Sequence, residues 1–288
     1  MRDSRKRATL VGVVAVVIGL LPWLVTGARL PRQNLWATHT LPEDMPLVLL
    51  PLSQYFVTVV IGLLVVGSGA AALGSRLLGT SRHRTALVLV VCHLAVVAQS
   101  FVTLARGHDL TSSVSLVYVA AVAGLCCCGL LLSLVTFWTA SGPGVNTRSI
   151  GLTLVALALA PWLTQWGTAL FGVLIPGWLR WVVAGIPVLL VGVIVGTGGR
   201  VRQCRVAWGV AVVLVALGPT LKLVSMIGTE RTMFHRPLVE SLDLAVDGLF
   251  RALLSPWALV QVAVVLVVGL VTRTVARHVN SDPVEEFR

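Results

Sequence analysis

Charge is scarce in this sequence. Of 288 residues, 11% are charged and 57% hydrophobic, and the mean hydropathy is +0.93. A soluble protein carries roughly 25% charged residues. This chain has too little polar surface to wet a soluble fold, and too much apolar content for a disordered tail. Acids number 11 against 22 lysines and arginines, and lysine itself occurs only twice, at Lys6 and Lys222. The preference for arginine, with abundant Ala, Val, Leu and Gly, suits a GC-rich genome such as an actinobacterial one. The net charge of +11 would fit a nucleic-acid binder, but the basic residues lie in loops too short for a binding face, so no nucleic-acid partner is expected.

Also missing is any acidic residue within the long apolar runs. Ion-coupled transporters, carboxylate hydrolases and magnesium-dependent prenyl transferases usually need such a group. His93 is the one histidine inside an apolar run, too few to hold a haem on both faces or to build a zinc site. No nucleophile-elbow, Walker or paired-cysteine motif occurs. Cys92, Cys126, Cys127 and Cys128 lie in apolar runs and Cys204 in a basic loop, so no structural disulfide is expected. Consecutive residues on a helix point about 100° apart. Cys126, Cys127 and Cys128 therefore cannot converge on one metal and read as small packing residues. No metal and no cofactor is expected.

What is present is length. A membrane-spanning helix needs about 20 mostly apolar residues. Eight segments meet or approach this: roughly 8–27, 47–74, 86–105, 114–139, 150–172, 181–199, 206–227 and 256–272. The fold class is therefore all-α, a polytopic membrane protein of about eight transmembrane helices. The first run follows Arg2, Arg5, Lys6 and Arg7 like a signal peptide, but it has no clean small-residue cleavage site and reads as a retained span. With the N-terminus inside, the inner segments carry a net charge of +10 and the outer ones +1. The positive-inside rule then places both termini in the cytoplasm and the chain in the plasma membrane. Trp23, Trp36, Trp166, Trp178, Trp181 and Trp257 fall near outer helix ends, and Trp138 and Trp208 near inner ones, as interfacial anchors do.

Two four-helix halves are expected, 1–140 and 141–272, with a cytoplasmic tail at 273–288. Leu21-Pro22-Trp23-Leu24 recurs as Ala160-Pro161-Trp162-Leu163, and the glycine-rich stretch 62–69 resembles 192–198. An even number of spans per half makes the two repeats parallel. Small residues four apart, at Gly67 and Ala71, at Gly192 and Gly196, and at Ala120, Gly124 and Cys128, predict close helix packing.

The polar residues that remain in the spans cluster at one depth. Gln54 and Tyr55, Gln99 and Ser100, Gln165 and Thr168, Lys222, and Gln261 all lie in the outer half of their spans. Polar groups in hydrocarbon turn toward the bundle or toward a wet cavity. With Pro22, Pro161 and Pro219 near the same level, they outline an outward-opening vestibule in which Lys222 is the cation. The ligand-binding candidates are Gln54, Tyr55, Gln99, Gln165, Lys222 and Gln261, and no catalytic residue is assigned. The alternative is that the glutamines only bond helix to helix and Lys222 snorkels. In the last outer loop, about 238–253, an apolar stripe faces a charged one, as in an amphipathic surface helix.

Three functional classes follow. The first is a permease-like or accessory, non-enzymatic subunit working among membrane lipids with other membrane subunits or an ATPase. The second is a membrane enzyme or flippase for a lipid-linked substrate. The third is a ligand-free scaffold.

Overall fold

The computed structural model describes residues 2–28, 47–53, 56–106, 111, 113–172, 176–198, 201–217 and 237–281. Its long elements among the described residues are helices: α1 (Arg2–Val25), α2 (Val57–Leu77), α3 (Arg82–Arg106), α4 (Ser113–Ala140), α5 (Val145–Phe171), α6 (Gly177–Thr197), α7 (Val201–Leu217), α8 (Leu238–Leu253) and α9 (Pro256–Ser281). Seven of these, all but α7 and α8, are long and apolar enough to cross a membrane. An uninterrupted helix satisfies its own backbone hydrogen bonds, the condition that hydrocarbon imposes on a spanning segment. The eighth expected span, 206–227, is described only as far as Leu217. Its apolar stretch Arg205–Val215 is too short to cross alone. The chain is thus an all-α polytopic membrane protein with seven described spans.

The buried side chains form two large clusters. One joins α1 to α4 around Leu20, Trp23, Leu63, Leu64, Leu89 and Phe137. The other joins α5, α6, α7 and α9 around Ala156, Val191, Val195, Ala211 and Val265. A smaller cluster of Val65, Val66 and Ala158 ties α2 to α5. The outward faces of α6 and α9 expose Val182, Leu189, Leu259, Val267 and Leu270. A helix with apolar residues all round suits a lipid surround.

Glycines set the closest crossings. A Cβ on Gly19 of α1 would collide with the Leu63 carbonyl and lie 2.9 Å from Gly67 Cα. On Gly196 of α6 it would lie 2.6 Å from the Gly269 carbonyl of α9. Backbones can approach this closely only where side chains are absent. Gly67 and Gly192 also lie in such contacts, Gly67 against Ala15 and Gly192 against Val268. The α4 stripe differs. Gly124 faces open space, and Ala120 and Cys128 are exposed.

Two sequence expectations need correction. The second span does not begin at 47. Helix α2 starts at Val57, and residues 47–53 precede it as a non-helical segment, exposed at Leu47, half-buried at Leu49 and buried at the rest. Hydropathy runs unbroken through this stretch, but Pro51 lacks an N–H and disfavours helical geometry at Leu50. Trp23 is not an interfacial anchor either. It is only 3% exposed and packs against Phe56 at a centroid distance of 5.9 Å. Segment 47–53 covers the ring that would otherwise meet the interface. By contrast, Trp178, Trp181 and Trp257 are exposed. Trp36 lies outside the described residues.

Candidate functional site

At the end of the bundle where α1 finishes and α2 begins, polar side chains hold segment 47–53 in place. The chain leaves α1 through two left-handed residues, Gly27 (φ 91°) and Ala28 (φ 51°). The first of these favours glycine sterically. Val48 N–H then donates to the Ala28 carbonyl at 2.8 Å. The Trp23 indole N–H donates to the Val48 carbonyl at 2.8 Å. From α3, Gln99 clasps the other edge. Its Oε1 accepts from Leu49 N–H at 2.9 Å, and its Nε2 donates to the Leu47 carbonyl at 3.0 Å. Ser100 Oγ accepts from Leu50 N–H at 2.7 Å and donates to Gln99 Oε1 at 3.1 Å. An amide side chain is both donor and acceptor, so it can replace a neighbouring strand for an extended backbone. Val48, Leu50 and Leu52 are thereby buried without a helix to satisfy them.

The six candidate ligand residues fare differently. Gln99 is bound to backbone at 47–49. Gln165 of α5 is buried, one turn beyond Pro161. A Cβ on Gly62 of α2 would lie 2.8 Å from Pro161 Cγ, so this part of α5 packs on α2. No hydrogen bond joins the Gln165 amide to another described residue. Gln261 is half-buried in α9. Gln54, Tyr55 and Lys222 lie outside the described residues, as does Pro219. Neither Gln165 nor Gln261 is hydrogen-bonded to Gln99.

A second polar group lies at mid-depth. His93 Nδ1 (α3) is 3.0 Å from Ser133 Oγ (α4), which is 2.6 Å from Ser68 Oγ (α2). Ser68 donates to the Leu64 carbonyl at 3.0 Å. The contacts link Leu64, Ser68, Ser133 and His93 in one continuous chain across α2, α3 and α4. All three residues are buried. The chain of bonds partners His93 Nδ1 and ties α2, α3 and α4 together at this depth. His93 stood out in the sequence. Ser68 and Ser133 did not, because a lone serine in an apolar helix carries no directional signal.

At the opposite end, Arg82 at the start of α3 donates to Ser141 Oγ at 3.0 Å and to the Trp138 carbonyl at 2.9 Å. Its guanidinium also lies 5.0 Å from the Trp138 ring centroid, and His83 meets the same ring edge-on. A cation at the C-terminal carbonyls of α4 is favourably placed for the helix dipole. Among the described residues, no three His, Cys, Asp or Glu side chains gather as a metal site would require. The chain matches no family model, no curated protein and no solved structure.

Proposed function

We propose that this multi-pass membrane protein is a non-enzymatic accessory subunit of a plasma-membrane complex. Gln99 carries the reading. It is the best-placed polar residue at the outer end of the first half, and its amide is spent on the chain's own backbone at Leu47 and Leu49. A group so committed positions a segment and presents no free donor to a solute. The inner-loop charge supports a cytoplasmic location for both termini. The halves 1–140 and 141–272 belong to the same reading, each centred on its own buried cluster. Lipids and further membrane subunits, an ATPase among them, are the partners it implies. Native electrophoresis of the mildly solubilised protein tests it. An accessory subunit migrates in an assembly well above its own 30.6 kDa, with a reproducible partner identified by mass spectrometry. A chain that always runs alone would overturn the reading.

A second reading is a membrane enzyme or flippase acting on a lipid-linked substrate in an outer-leaflet vestibule, and Gln165 favours it. Its amide makes no hydrogen bond to another described residue, which leaves it for a ligand group. Gln54, Tyr55, Lys222 and Gln261 complete the site in this reading.

A further inference from the structure

Helix α8 leaves its apolar face uncovered. At 100° per residue, Val239, Leu242, Val246, Leu249, Phe250 and Leu253 fall within an arc of about 100°, and Glu240, Asp243, Asp247 and Arg251 within a separate arc of about 80°. Val239, Leu242, Val246 and Phe250 are exposed, at 76%, 47%, 50% and 58%. Within the charged arc Arg251 pairs with Asp247 at 2.6 Å. A soluble protein would fold such a stripe onto its core. Here α8 meets the rest of the described chain chiefly at α9.

Its position identifies what covers the stripe. Ser255 Oγ accepts from Ala258 N–H at 3.2 Å and caps α9, so α8 ends two residues before a membrane-crossing helix begins. In the first turn of α9, Trp257 meets Trp181 of α6 edge-to-face at 5.2 Å. Both rings are exposed, as is Trp178. Exposed tryptophans at the ends of spanning helices mark the headgroup level. The apolar stripe of α8 continues through exposed Leu254 into this belt. We propose that α8 is an interfacial anchor. Its apolar face sits in the acyl boundary of the leaflet where α6 and α9 begin, and its acidic face is in water. The occupant is lipid rather than protein, because the stripe is continuous with a lipid-facing belt. The three acids make anionic headgroups unnecessary and unfavourable.

The test uses the full chain with Cys92, Cys126, Cys127, Cys128 and Cys204 replaced by alanine or serine, reconstituted in phosphatidylcholine vesicles. An environment-sensitive fluorophore is attached through Val246→Cys or, separately, through Asp247→Cys. An apolar face about 5–10 Å into the headgroup boundary should make shallow spin-labelled lipid quench the first label about three-fold more than the second, with iodide showing the reverse order. Adding phosphatidylglycerol should not strengthen the lipid quenching. Equal iodide quenching of both labels would overturn the proposal, because α8 would then stand in water. Shielding of the Val246→Cys label from both quenchers would also overturn it, because protein, a second copy included, would then cover the stripe. If the cysteine-free chain does not fold, hydrogen exchange of 238–253 in phosphatidylcholine nanodiscs decides. The native chain should exchange several-fold more slowly than a Leu242→Glu, Val246→Glu variant, and equal rates would refute the anchor.

Discussion

The indole N–H of Trp162 in α5 donates to the carbonyl oxygen of Gly19 in α1 at 3.0 Å. The bond joins residues 143 positions apart and lands where α1 presses on α2. Gly19 has no side chain because Leu63 and Gly67 of α2 occupy that space. The missing Cβ that lets α2 approach on one side also leaves the Gly19 carbonyl open to the ring on another. One glycine therefore fixes three helices. Trp23 and Trp162, the matching residues of the two Pro-Trp motifs, both donate to backbone carbonyls, one at Val48 and the other at Gly19.

Trp162→Phe keeps most of the ring volume and removes the donor. It should lower stability by about 1 kcal/mol, the usual net value of such a bond. Unfolding in mixed micelles of increasing denaturing-detergent fraction measures this. An unchanged midpoint would mean that the bond contributes nothing in the membrane-mimetic state.

Glycines with opposite surroundings should respond oppositely to alanine. Gly19→Ala places a methyl against backbone, which cannot move aside, and should cost about 1–3 kcal/mol or more as overpacking does. Gly124 faces open space, and Gly124→Ala should be neutral or gain up to about 1 kcal/mol from helix propensity. The same unfolding titration ranks the pair. A Gly19→Ala protein as stable as Gly124→Ala would refute the close α1–α2 crossing.

The contrast between these glycines also marks how far the sequence is readable. Four-residue spacing identifies small residues in both α2 and α4, but only packing tells which face has a neighbour. Helix α8 was legible, running from Leu238 to Leu253 as its periodicity predicts, because a 3.6-residue period is a local property; the exposed apolar face is centred nearer Val239, Val246 and Phe250 than the stripe of Leu238, Leu242, Ala245, Leu249 and Leu253 that the spacing suggests. The start of α2 was not legible. Hydropathy does not distinguish an apolar helix from an apolar extended segment whose backbone is satisfied by Gln99, Ser100 and Trp23 from distant helices. The Trp23 misreading has the same origin. For the candidate site, polarity at one depth was visible in sequence, but whether an amide meets backbone, as at Gln99, or bonds no other described residue, as at Gln165, is decided by packing.

Removing the middle of the buried chain of polar groups should be costly. Ser133→Ala leaves His93 Nδ1 without its partner and should destabilise by about 1–3 kcal/mol, the cost of an unsatisfied buried group. Ser68→Ala should cost less, because His93 keeps its partner. In a double-mutant cycle the two losses should fall short of additivity, since both report on one network. Strict additivity would show that Ser68 and Ser133 act independently.

Gln99 and Gln165 separate the structural reading of the outer polar residues from the ligand-binding one. Gln99→Leu removes the acceptor for Leu49 N–H and the donor to the Leu47 carbonyl at once. The half-buried Leu49 N–H and the exposed Leu47 carbonyl lose partners, about 1 kcal/mol for each bond, so segment 47–53 should loosen and its amide hydrogens exchange faster, while α6 and α9 are unaffected. Gln99→Glu is a sharper probe. It keeps an acceptor and the shape but, when ionised, offers no donor to the Leu47 carbonyl, so it should loosen the segment as well. Gln165 has no hydrogen-bond partner among the described residues to lose. Gln165→Leu exchanges the amide for an apolar side chain of similar length and should hold stability. If Gln165 contacts a ligand, the same variant should fold well and lose the complementing activity of the native gene. If it only packs between helices, the variant should complement fully and be at least as stable, which would remove the strongest support for a vestibule. Unfolding titration beside complementation of a deletion strain distinguishes the two outcomes.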